Sequence, residues 1–297
     1  VDPPRIGFVT PSGIHDMTAL GINDMPAAIA VGAERLGDLA RSLEQSGEAP
    51  IDADTIVARA PIARPGKIVC IGLNYRDHCR EQGVEPPDYP RIFAKFANAV
   101  NHPGAPIVRP AATEKLDLEC ELAVVIGRSA SHVAPDEALG AVFGYTILND
   151  ITMRDLQKED RRWLRAKGSD GFAPMGPLLV TRDEIDDPQA LRLRSWVNGE
   201  PWQDSSTAEM VFDVRTIIAF VSRFIRLEPG DVISTGTPAG VGHYQTPPRY
   251  LRGGDALRCE IEGIGVLDNT VIDETPRTDD HAAAAGVRIA AGAGAKP

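Results

Sequence analysis

The sequence predicts an α+β, β-rich fold, and three observations carry that expectation. Strand patterns recur along the chain from residue 67 to residue 261 without a regular strand–helix–strand alternation, which argues against a Rossmann fold or a TIM barrel. An Asn198-Gly199 pair separates two extended runs, the signature of a two-residue hairpin. One strong helical repeat, Val214, Ile217, Ile218, Val221, Phe224 and Ile225, stands among the strands.

Residues 1–60 differ from the rest. Leu36, Leu39, Ala40 and Leu43 fall at helical spacing in otherwise loop-rich surroundings, so this segment reads as a small N-terminal domain or arm. The run PIARPGK (61–67) is the junction, and residues 61–275 form the main domain. That domain opens with the strand and glycine turn of KIVCIGLNY, and strands are expected at 118–126, 142–148, 192–197, 231–235 and 256–261. LEPGD stops the helix that begins near Val214. The last stretch, 276–297, is rich in Ala and Gly and reads as a disordered tail.

With 297 residues, 43% hydrophobic and 25% charged, the chain has the composition of a soluble globular protein. A net charge of −11 argues against nucleic acid or an anionic membrane as partner. No apolar run approaches the roughly 20 residues of a spanning helix. The opening VDPPRIGFVT has no basic segment leading into an apolar core, so the expectation is a cytoplasmic protein. Cys70, Cys79, Cys120 and Cys259 form no C-x-x-C pair and read as reduced thiols. Cys79, beside a histidine, is the one candidate for a reactive thiol, against the plainer reading of a small buried side chain.

Four segments hold candidate chemistry. In LDLECELAVVIG, alternation puts Asp117, Glu119 and Glu121 on one side and Leu116, Leu118, Cys120 and Leu122 on the other. Glu119 and Glu121, with Asp150 at the end of GYTILND, could share a divalent ion. Carboxylates next to a buried run need neutralising, and an all-oxygen site suits Mg²⁺, Mn²⁺ or Ca²⁺. A solvated strand face would show the same alternation. In NYRDHCRE, His78 and Glu81 are three apart, neighbours if the segment is helical. A carboxylate on one imidazole nitrogen leaves the other as a base toward water; an exposed His-Glu pair fits equally. After Asp150 come Arg154, Gln157 and Lys167, cations and an amide suited to a substrate carboxylate and an oxyanion, or to a solvated basic face. In DVISTGTPAGVG, Gly236, Gly240, Gly242 and Thr237 offer backbone N–H groups and a hydroxyl that could bind a carboxylate, or form a plain turn.

Taken in order, GLNYRDHCRE, the P-x-x-F-x-K stretch at Pro90, Phe93 and Lys95, LDLECELAVVIG, GYTILNDITMRDLQ, AKGSDGFAPMGP, MVFDV and LEPGDVISTGTPAGVG resemble the fumarylacetoacetate hydrolase family over residues 65–272. The resemblance implies a mixed β-sandwich roll, usually homodimeric, acting on a small 2-oxo or 2,4-dioxo acid. It implies Glu119, Glu121 and Asp150 as ligands of Mg²⁺ or Mn²⁺, His78 and Glu81 as the water-activating pair, and Lys167 and Gln157 as oxyanion and substrate-orienting residues. Arg154 and Thr237 match positions that contact the substrate carboxylate. The N-terminal segment is shorter than the SH3-like domain of the archetypal fumarylacetoacetase, and Asn74 stands near His78 where a fourth carboxylate ligand would be sought. The chain is therefore similar to the smaller bacterial-type members, among them acylpyruvases and sugar-acid hydrolases. The leading expectation is metal-dependent hydrolysis of a carbon–carbon bond in a 2,4-dioxo acid. The alternatives are decarboxylation, hydration or keto–enol isomerisation of a 2-oxo acid on the same site, or a catalytically silent member. Residues 84–89 and the 242–249 loop, with His243 and Tyr244, are the expected specificity loops.

Overall fold

The computed structural model of the protein describes residues 4–47, 49–160 and 162–275. The expected tail at 276–297 lies outside the described residues, as does Arg161. The chain opens with a hairpin of β1 (Gly7–Thr10) and β2 (Gly13–Asp16), followed by α1 (Met25–Val31) and α2 (Ala33–Gln45). Asp24 caps α1 through the Ala27 N–H. Leu36, Ala40 and Leu43 of α2 are buried, the face that the helical spacing predicts.

The chain continues as β3 (Ile68–Gly72), α3 (Arg76–Gln82), β4 (Arg91–Lys95), β5 (Val100–Asn101), β6 (Pro106–Arg109), β7 (Leu116–Asp117) and β8 (Cys120–Ile126). Then come β9 (Val142–Asn149), β10 (Thr152–Met153), α4 (Arg154–Glu159), α5 (Leu164–Lys167) and β11 (Ala173–Thr181). The last elements are β12 (Arg192–Val197), β13 (Glu200–Ser206), α6 (Val214–Ser222), β14 (Val232–Ser234), β15 (Ala256–Ile261) and β16 (Gly265–Asp273).

Seven strands pair in the order β4-β3-β14-β8-β9-β11-β5, and five in the order β13-β12-β15-β16-β6. The two sheets share a core. Leu122, Val124 and Ile126 of β8 point into it with Tyr145 and Ile147 of β9, against Leu193, Val197, Leu257, Cys259 and Leu267 of the smaller sheet. The opposite face of the seven-stranded sheet, with Ala123, Val125, Ile68 and Cys70, is covered by Met17, Ile22, Ala28, Ile29 and Leu36. Central strands β8 and β9 are therefore buried on both sides and read as unbroken apolar runs. Burying a Leu or Ile here contributes about 1.5–3 kcal/mol each relative to exposure.

Asn198 (φ 53) and Gly199 (φ 79) both take the left-handed region between β12 and β13, as the hairpin requires. Two expectations change. The strand expected at 118–126 is one strand that starts two residues later, as β8 at Cys120; Leu118 and Glu119 separate it from the short β7, which pairs with β10. The helical repeat at 214–225 ends as a helix at Ser222, and Phe224 is exposed while Ile225 packs on the core.

Gly144 faces β11 where its register with β9 slips, and a Cβ there would stand 2.2 Å from the Val180 carbonyl oxygen. Gly144→Ala should therefore destabilise the protein by about 1–3 kcal/mol, read by chemical denaturation. An unchanged midpoint would contradict this packing.

Candidate active site and metal centre

The break before β8 brings the carboxylates together. Cys120 pairs with Asn149 across β8 and β9, and the Asp150 N–H donates to the Glu119 carbonyl at 2.8 Å. One carboxylate oxygen from each of Glu119, Glu121 and Asp150 lies within 4.8 Å of the others, and all three residues are buried. A buried triad of this kind requires cations, and the chain supplies its own. The Lys167 Nζ donates to Glu119 Oε2 at 2.7 Å, Asp150 Oδ2 at 2.7 Å and Thr152 Oγ1 at 2.8 Å. The Lys95 Nζ stands 2.7 Å from Asp150 Oδ1 and donates to the carbonyls of Ile151, Lys167 and Phe172. Arg154 joins from α4: its Nε meets Asp117 Oδ2 at 2.8 Å, and its Nη1 meets Glu119 Oε1 at 2.7 Å.

The two glutamates are held in opposite states. Burial pushes Glu119 up, but Lys167 and Arg154 outweigh it and hold the carboxyl down at about 2. Burial also pushes Glu121 up, Asp150 and Glu119 add to that, and its carboxyl sits well above the ordinary 4.5. Burial works against the Lys167 ammonium, yet Asp150 and Glu119 overcome it and keep the amine charged beyond its usual range. The residues fit a hard divalent ion: three convergent carboxylates, one of them poised to exchange a proton for a metal. An ion there would take over the charge that Lys167 now balances.

The glycine-rich loop after β14 has a role other than the expected one. Its N–H groups bind the protein's own carboxylates. Gly236 N donates to Glu121 Oε2 at 2.9 Å, Gly240 N to Glu81 Oε1 at 2.8 Å and Gly242 N to Asp117 Oδ1 at 2.9 Å. A Cβ on Gly236 would press to 2.9 Å from the Ile71 carbonyl oxygen, and one on Gly240 to 2.1 Å from that of Trp202. Only glycine permits that approach. Thr237 is likewise turned to the scaffold, donating to the Cys120 carbonyl at 3.1 Å and accepting from Gln203 Nε2 at 2.7 Å.

α3 carries the imidazole. His78 and Glu81 share a face, with Nδ1 2.8 Å from Glu81 Oε2. The ring is buried, stands edge-on to Tyr244 with centroids 5.7 Å apart, and is near enough to Glu119 to bear on its ionisation. Tyr244 in turn feels Arg154, Glu119 and Glu81, so the 242–249 loop does reach the site. Cys79 is buried, and burial raises its thiol, which leaves it a packed side chain.

Gln157 Oε1 accepts from Arg154 Nη1 at 3.0 Å. Arg154 spends Nε and Nη1 on acidic partners, while its buried Nη2 has no hydrogen-bond partner. Asn74 is a tether, bonding the Phe212 N–H and carbonyl and the Thr235 carbonyl. Three participants were given no role in the site from the sequence. Lys95 and Asp117 find their partners only through the fold, and Gln82, at His78 Nε2, was legible solely as an i,i+4 spacing.

The sequence profile described as fumarylacetoacetate (FAA) hydrolase C-terminal matches residues 67–272. The chain belongs to the fumarylacetoacetate hydrolase family. The mitochondrial oxaloacetate tautomerase of Xenopus laevis is 42% identical over 276 residues, 91% of this chain and 86% of that protein. Fumarylacetoacetate hydrolase from Exiguobacterium antarcticum superposes with a TM-score of 0.76 at 39% identity, covering 91% of this chain and 95% of that one. Maleylpyruvate hydrolase from Sphingobium sp. SYK-6 gives a TM-score of 0.77 at 32% identity, covering 92% and 98%. Among the described residues, no helix is long and apolar enough to cross a membrane.

The ionisations fix two signs. The depressed Glu119 contributes stability that is complete above the ordinary 4.5 and is lost as pH falls through about 2. The raised Glu121 acts oppositely in the metal-free protein: its contribution is present at low pH and fades as pH rises through its folded value. Divalent ion binding should therefore release a proton and tighten with rising pH. Calorimetric titration of Mg²⁺ in two buffers of different ionisation enthalpy should give different apparent heats, and identical heats would contradict a protonated Glu121.

Proposed function

We propose that this protein moves protons on an enolisable 2-oxo acid, as an enol–keto tautomerase of an oxaloacetate-type dicarboxylate that works with Mg²⁺ or Mn²⁺. One observation carries the reading: His78, paired with Glu81, stands near enough to the buried Glu119–Glu121–Asp150 triad to bear on Glu119, and one loop binds both Glu121 and Glu81. A divalent ion held by the triad supplies Lewis acidity toward the 2-oxo group and so makes the neighbouring C–H acidic. The unpartnered Arg154 Nη2 suits a substrate carboxylate. His78 Nε2 exchanges the proton at C3, and Glu81, fixed by Gly240, keeps Nδ1 protonated and the ring in place. Lys167, whose ammonium Asp150 and Glu119 favour, stabilises the developing oxyanion. Tautomerisation needs a base at C3 and no attacking water, so the His78–Glu81 pair and one carboxylate-binding cation suffice for it. The tautomerase activity of a relative 42% identical over most of the chain supports the same choice.

A second reading keeps the leading expectation from sequence: hydrolysis of a 2,4-dioxo acid such as an acylpyruvate, with His78 activating water. The likeness to a maleylpyruvate hydrolase favours it.

The test is to follow enol-oxaloacetate decay and acylpyruvate cleavage side by side with Mg²⁺. The expected result is accelerated ketonisation, abolished by EDTA, with little cleavage. Cleavage without accelerated ketonisation would establish the second reading instead. His78→Ala and Lys167→Met should each lower the turnover at least about a hundredfold, the scale of general acid–base catalysis. Full activity in His78→Ala would remove the imidazole from the mechanism.

A further inference from the structure

His78 has a second neighbour on α3. Gln82 follows it by four residues, one turn along the same face, and Gly83 (φ 65) ends the helix immediately afterwards. The Gln82 Nε2 lies 2.7 Å from His78 Nε2. Glu81 can only accept, so Nδ1 carries the proton of the neutral ring, and the Nε2 lone pair receives a carboxamide N–H. Both ring nitrogens are thus taken at rest, and His78 can accept no proton until Gln82 leaves.

We infer that Gln82 is a substrate-sensing latch: it covers His78 Nε2 until an anionic oxygen at the far end of the substrate draws its amide away. The inference rests on the proton-transfer reading above. An N–H bond to an anionic oxygen is about twice as strong as one to a neutral acceptor, so a distal carboxylate outcompetes the imidazole for the amide. The same bond lays the substrate's C3 against the nitrogen just freed. His78 Nε2 then takes the C3 proton, the C–H electron pair becomes the C2–C3 double bond, and the charge rests on the C2 oxygen. Return of a proton to carbon completes the exchange with nothing consumed. A 2-oxo acid with a methyl group in place of the distal carboxylate offers no acceptor, so the latch stays shut. Gln82 therefore selects dicarboxylates as a positioning residue.

Gln82→Met keeps the length and removes both hydrogen-bonding groups; Gln82→Glu keeps the shape and is repelled by a distal anion. Hydrogen–deuterium exchange at C3 in D₂O, followed by NMR on the Mg²⁺-loaded protein, compares oxaloacetate with 2-oxobutyrate. The wild type should prefer oxaloacetate strongly. Gln82→Met should lose about tenfold on oxaloacetate, chiefly in KM, and gain on 2-oxobutyrate, since one lost hydrogen bond is worth about a factor of ten. Gln82→Glu should lose more on oxaloacetate. In the metal-free, ligand-free protein, the His78 Nε2 nitrogen resonance should shift between wild type and Gln82→Met. An unchanged substrate preference, or an unmoved Nε2 resonance, overturns the latch. Exchange of neither acid by the wild type would overturn the proton-transfer reading instead, while the resonance still reports on the Gln82–His78 bond.

Discussion

Four buried carboxylates must be neutralised inside this β-sheet protein, and much of the surrounding structure follows from how that is done. Asp117, Glu119 and Asp150 are balanced by Lys95, Lys167 and Arg154, three cations brought from three different elements, while Glu121 accepts from the Ser234 hydroxyl and the Gly236 N–H. Leaving one such charge unpaired would cost about 3–5 kcal/mol, a large part of the stability of a typical domain. The strand interruption before β8, the short β7–β10 pairing and the placement of Lys167 at the end of α5 bring these groups within hydrogen-bond reach. Three loop glycines complete the arrangement by presenting N–H groups where any side chain would collide with backbone.

The same loop ties the acid cluster to the imidazole. Gly236 holds Glu121 and Gly240 holds Glu81, so one backbone segment sets both the triad and the orientation of His78. A shift of that loop would move both halves of the site together. This coupling is a physical reason for the loop to be rich in small residues and buried along most of its length.

The strands that were legible in the sequence are those whose pattern is local. The alternation of ALRCEIE and the Asn198-Gly199 turn specify β15 and the β12–β13 hairpin without reference to anything distant. β11 was hidden because Pro174, Gly176 and Pro177 interrupt it, and β4 because a five-residue edge strand carries little periodicity. In the site, the carboxylates and the His78–Glu81 pair announced themselves through spacing. Their counter-charges did not, because Lys95 meets Asp150 only in the folded chain and Arg154 was read as a ligand for substrate. The glycines were found as a permissive loop, but nothing in the sequence says that the N–H groups point at the protein's own acids.

Lys167 now stands where a divalent ion would carry the charge, and that exchange is the core of the account. The direct measurement is a crystal structure of the protein grown with Mn²⁺, with an anomalous difference map. The account predicts a peak bounded by Glu119, Glu121 and Asp150, with the Lys167 Nζ drawn away from Glu119 and Asp150. No peak, with Lys167 still bonded to both carboxylates, would contradict it.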